Sequence, residues 1–238
     1  LVADGGSGNG DGMGMMDGGS MGHMNMGQPP WGDAGDVTYP LFLVNGKSPS
    51  DPDVLAAKPG QRVRLRVINA ASDTIFTVAL GGHRLTITHT DGWAVTPTEV
   101  GAFFIGMGER YDAIVTLGDG VFPFVARPFG KTTGGQGFAL VRTRGGTPPP
   151  ATVTPTELTG QILIGSQLEP AEASRLPAGN PDSEIALTLQ GSMQPYRWGI
   201  NGAPYGQNEA LTVNAGQRLR INAVNMTMMT HPLHIHGH

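Results

Sequence analysis

The sequence predicts an all-β protein: two tandem copies of one antiparallel Greek-key sandwich or barrel unit, the second incomplete. Three observations predict it. Charged residues make up only 14% of the 238, while 37 glycines and 19 prolines favour turns over helices. From Val37 onward apolar and polar residues alternate, as in Val63, Leu65 and Val67 against Arg62, Arg64 and Arg66, which buries one face of a strand and solvates the other. A block also recurs: "VNG…PGQRVRLRVIN" (44–69) returns as "ING…AGQRLRINAVN" (200–225). Asn45, Gly60, Arg62 and Asn69 each find their counterpart 156 positions on, in Asn201, Gly216, Arg218 and Asn225.

Each segment follows in order. Residues 1–36 are a low-complexity Met/Gly-rich segment in which Met13, Met15, Met16, Met21, Met24, Met26 and His23 stand among Gly, Asp, Asn and Ser. Such a stretch is too rich in glycine to build a core and is expected to be flexible. Its thioethers are either incidental to a linker or soft ligands suited to Cu(I). Residues 37–146 hold the first β unit, with strands in "VTYPLFLVNGK", "QRVRLRVINA", "TIFTVALGGHRLTITHTDGW" and "RYDAIVTLGDGVFPFVAR" punctuated by NG, PG, GG and DG turns. Residues 147–180 read as a Pro-rich linker and connection. Residues 181–238 then supply about half of a second unit.

Composition excludes several functions. A net charge of −4 with no Lys/Arg run argues against nucleic acid and anionic membrane surfaces as partners. No apolar run approaches the roughly 18 residues of a membrane span. The absence of cysteine excludes disulfides and thiolate metal sites within these residues.

Chemistry concentrates in "THPLHIHGH" (230–238). Four of the seven histidines lie in these last residues, interleaved with Pro232, Leu233, Ile235 and Gly237. At the register of the repeat, His231, His234 and His236 fall on Ile75, Val78 and Leu80. One copy therefore reads as scaffold and the other as a metal site, since three core imidazoles within six residues would each need a buried hydrogen-bond partner. Strand alternation puts His234 and His236 on one face, about 6.5–7 Å apart, and His231 on the other, so the segment can serve two centres. His238 follows Gly237 and is left outside the ligand set.

"HPLHIHGH" resembles the H-P-x-H-x-H-G-H segment of multicopper oxidases, the blue-copper family that includes laccases and cuprous oxidases. "GGHRLTITHTDG", "IGMGERYDAIVTL" and "YRWGINGAPY" are similar to stretches of its bacterial three-domain members. The resemblance implies tandem cupredoxin-like domains: 37–146 without copper ligands and 181–238 as the N-terminal part of a copper-binding one. It implies that His231 binds type 1 copper, His234 type 2 copper and His236 one copper of the type 3 pair. It further implies oxidation of Cu(I), phenols or aromatic amines at type 1 copper and reduction of dioxygen to water at a trinuclear cluster, outside the cytoplasm in periplasm, envelope or medium. The H-x-H pairs of a first domain and the C-terminal H-C-H segment do not occur here, so the remaining ligands are expected from other parts of the same protein, and the fragment alone is expected to be inactive.

Two other readings stay open at this stage: a copper-storing cupredoxin protein without turnover, and a copper nitrite reductase-like enzyme or other histidine metal site. A downstream H-C-H segment discriminates them. His83 and His89 read as structural, Asp91-Gly92 as a turn, and Glu109, Arg110 and Asp112 as a local ion pair. The glycines of 130–137 precede no Lys-Ser/Thr and are no phosphate loop.

Overall fold

The computed structural model describes residues 2–5 and 37–235. They form two compact units: 37–175 together with 2–5 and 232–235, and 176–231. Among the described residues no helix is long and apolar enough to cross a membrane.

The first unit is a sandwich, and no sheet closes into a barrel. Its strands in chain order are β1 (Val2–Gly5), β2 (Leu41–Val44), β3 (Asp53–Ala56), β4 (Arg62–Ile68), β5 (Phe76–Leu80), β6 (Leu85–Thr90), β7 (Trp93–Val100), β8 (Ala102–Ile105), β9 (Arg110–Thr116), β10 (Val121–Pro128), β11 (Gly137–Arg142) and β12 (Ile162–Leu163). One sheet runs β4-β9-β6-β7 and the other β12-β8-β5-β10-β11-β3, while β1 pairs with β2. The alternating side chains of both sheets meet in a single core built from Val67, Phe76, Val78, Leu80, Ile87, Phe103, Tyr111 and Phe124, among others.

Strand β5 lies between β8 and β10, with Val78 opposite Phe103 and Ala126, and all five of its residues are buried. Its outward face is covered as well. Ala151, Val153 and Leu158 pack there with Ala79, Val125, Phe138 and Leu140, and the buried Gln136 amide donates to the carbonyls of Ala151 and Val153 at 2.9 and 2.8 Å. The stretch read as a Pro-rich connection is thus built into the first unit at residues 151–158.

The second unit is one four-stranded sheet: β13 (Ser183–Met193), β14 (Tyr196–Ile200), β15 (Ala203–Pro204) and β16 (Leu219–Asn225), in the order β15-β14-β13-β16. Strands β13 and β16 run parallel from Ser183↔Leu219 to Leu189↔Asn225. No described residue of 176–231 is fully buried. Two of its arginines are tied locally: the Arg218 N–H donates to the Asp182 carboxylate and its guanidinium to the carbonyl of Gly179, and Arg220 pairs with Glu184 at 3.1 Å.

The repeat holds down to single hydrogen bonds. Asn45-Gly46 and Asn201-Gly202 are both left-handed (φ 53° and 76°, 51° and 82°), the paired conformation of a tight hairpin turn. Gln61 Oε1 accepts the Lys58 N–H at 2.9 Å, and Gln217 Oε1 the Asn214 N–H at 3.0 Å. The expected Asp91-Gly92 turn is present between β6 and β7, again with both φ positive (50° and 91°).

Candidate metal centre

The three apolar counterparts of the histidines are core: Ile75 is 4% exposed, Val78 and Leu80 0%. Their surroundings explain the substitution pattern, because a polar ring in the interior of a two-faced sheet would lose its hydration without gaining partners.

The histidine segment itself differs from the expectation of a strand. Residues 230–235 carry no sheet pairing. Alternation specifies a face but not a ladder, and β5 is held straight by β8 and β10.

His231 stands in the second unit, half-buried. Its Nε2 lies 2.7 Å from Thr227 Oγ1, and its ring meets Trp198 edge-on at 5.3 Å between centroids. Nδ1 has no hydrogen-bond partner among the described residues. Burial holds its imidazole below the usual histidine range, so the neutral, ligating form is favoured. One committed nitrogen and one open nitrogen fit a metal ligand.

His234 is exposed and grouped with the first unit. Gly108, at φ 81°, leaves room for its ring: a Cβ there would come within 3.2 Å of His234 Cγ. Arg110 Nη1 lies 3.1 Å from His234 Nδ1. The guanidinium is itself fixed by Asp91, through Nη1 to Oδ1 at 3.1 Å and Nη2 to the main-chain carbonyl at 2.9 Å. His236, His238 and the methionines of 13–26 with His23 lie outside the described residues.

The expected ion pair among Glu109, Arg110 and Asp112 is redistributed. Arg110 pairs with Asp91, Asp112 faces Arg64 and Arg66 across β4 and β9 at 3.3 and 3.8 Å, and Glu109 accepts the Gly106 N–H. Arg110 and Asp112 share one face of β9 but stand about 6.5–7 Å apart along it, farther than a directly cross-strand pair, so their partners come from neighbouring strands and turns. Burial, with a smaller push from Asp91, raises the Glu109 carboxyl above its ordinary range.

His83 is 7% exposed and fully engaged by Gly81 O and Gly118 N, each at 2.9 Å. His89 Nδ1 contacts Thr88 Oγ1 at 3.1 Å. Among the described residues no three His, Asp or Glu side chains converge on one point that could hold a metal.

Sequence reasoning did not place Thr227 or Trp198 at the site, and it read Asn225 only as a repeat position and Arg110 only as part of an ion pair. The signal for two of them was in the repeat: Asn225 matches Asn69, and Thr227 replaces Ala71 as His231 replaces Ile75.

A β-sandwich followed by a partial second copy that carries spaced histidines defines an all-β protein with a histidine-bearing repeat, and comparison with known proteins makes this specific. Multicopper oxidase family models match residues 26–145 and 179–238. The chain belongs to the multicopper oxidase family. It is 46% identical over 207 residues to the multicopper oxidase MmcO of Mycobacterium tuberculosis, covering 87% of this chain and 41% of that protein. A copper resistance protein A homolog of Pseudomonas syringae pv. tomato is 24% identical, covering 90% of this chain and 51% of the relative. The chain thus spans about half or less of these curated relatives. The crystal structure of Fet3p, a multicopper oxidase that functions in iron import, superposes with a TM-score of 0.60 at 14% identity over 73% of this chain and 34% of its own, which supports the fold.

Proposed function

We propose that the protein carrying this chain oxidises Cu(I), with phenols or aromatic amines as alternative reductants, and reduces dioxygen to water. In this reading His231 holds the mononuclear copper, and His234 and His236 belong to the cluster that meets dioxygen. The observation that carries it is the exchange of buried Ile75, Val78 and Leu80 for His231, His234 and His236 on a repeated frame. Bound copper supplies one-electron redox chemistry. The residues of the chain hold the ligands: Trp198 and Thr227 confine the His231 ring, and desolvation favours its neutral form. Met226 and Met228, 67% and 86% exposed, precede His231 by five and three residues. Exposed thioethers have no packing reason to be there and suit the soft cuprous ion, which favours Cu(I) over phenols.

The test uses the full-length protein. His231→Ala is expected to abolish or strongly alter the blue thiolate-to-copper absorption. His236→Ala should keep the blue band and stop dioxygen consumption, and His234→Ala should lose the type 2 paramagnetic resonance signal first. A blue His231→Ala beside a bleached His236→Ala would refute the assignment.

A further inference from the structure

At the turn after β16, Asn225, Thr227 and His231 form a chain of hydrogen bonds whose direction can be worked out. Asn225 Nδ2 donates to Met229 O, and Asn225 Oδ1 accepts the Thr227 N–H at 2.9 Å, so two main-chain partners fix which way the amide points. Thr227 Oγ1 lies 2.7 Å from that same Oδ1. An amide oxygen has no proton to give, so the hydroxyl donates to it. The other nearby oxygen, Met229 O at 3.3 Å, is likewise only an acceptor. Thr227 has a single hydroxyl proton, and it is used. The 2.7 Å contact with His231 Nε2 is therefore made by a proton on Nε2, and the lone pair of the neutral ring is left on Nδ1.

The first copy provides an internal comparison. Asn69 makes matching contacts, accepting the Ala71 N–H at 2.9 Å and donating at 2.8 Å to Thr74 O, one position beyond the counterpart of Met229. On that unchanged asparagine, Ala71 and Ile75, 7% and 4% exposed, stand where the second copy has Thr227 and His231. An apolar pair has been exchanged for a hydrogen-bonded polar pair.

We propose that Thr227, oriented by Asn225, is the positioning residue that fixes the Nε2–H tautomer of His231 and so presents Nδ1 as its metal-binding atom. The proposal rests on reading His231 as a copper ligand, yet the tautomer is set before any metal binds and is measured without it. The experiment is a long-range proton–nitrogen correlation spectrum of the copper-free 238-residue chain, labelled with 15N-histidine, at a pH of about 8, above the ordinary imidazole range. Signals of His231 are assigned by their loss in His231→Gln. The unsubstituted chain is expected to show a protonated Nε2 and a bare Nδ1. Thr227→Val should move both nitrogens toward the averaged shifts of a tautomer mixture, and Thr227→Ser should restore the original pattern. A protonated Nδ1 in the unsubstituted chain, or an unchanged Nε2–H tautomer in Thr227→Val, overturns the proposal. A protonated Nδ1 in the unsubstituted spectrum overturns the proposal even if Thr227→Val fails to fold, and Thr227→Ser, which keeps the hydroxyl, then supplies the comparison. A full-length His231→Ala that stays blue would instead remove the copper assignment and leave the tautomer result standing.

Discussion

His83 and His231 show at the residue scale what separates a strut from a candidate ligand. Gly118 donates to His83 Nε2, so Nδ1 carries the proton and donates to Gly81 O; the ring then packs edge-on against Phe122 at 4.4 Å. Both nitrogens are committed, whereas His231 commits one. His83→Ala leaves a donor at Gly118 without its partner and removes a buried ring, which costs about 2–4 kcal/mol. Denaturant unfolding of the 238-residue chain should show a loss of that order, and copper content of the full-length protein should be unchanged. Loss of copper without loss of stability would contradict the structural role. The histidines of the 230s were legible in sequence because their type and spacing are chemical. The partners of Arg110 and Asp112 were not, since cross-strand neighbours depend on a register that the local sequence does not state.

At the scale of elements, β5 and residues 230–235 occupy the same place in the repeat and have opposite fates. One is the centre of a six-stranded sheet and the other carries no ladder. In hydrogen exchange on the 238-residue chain, amides of Phe76–Leu80 should be among the slowest and those of 233–235 among the fastest. Comparable protection would mean that the histidine segment is paired in solution. Strands β4 and β9 of the first unit were readable from period two, and the correspondence of β4 with β16 from the fixed offset. The packing of Ala151, Val153 and Leu158 on the outer face of β5 and β11 was not, because sparse apolar residues among prolines reveal their partner only once the sheet exists.

Over the whole molecule, methionine is clustered along the sequence. Nine of the eleven lie in two stretches, residues 13–26 and 226–229, and Met107 is one that packs against the core. Deleting residues 10–27 from the full-length protein should lower cuprous oxidation at limiting Cu(I) and leave phenol oxidation nearly unchanged, as steady-state rates with each reductant would show. Equal losses on both would reduce the segment to a tether. The two copies divide a conflict that a single domain has to settle by compromise. In the first, every position on the shared frame is free to serve cohesion, and Ala71 and Ile75 do so. In the second, the same positions hold side chains that a core would reject. Substitutions around the histidines can therefore accumulate in the second copy without touching the core of the first, so a duplicated domain widens the set of mutations this protein can survive.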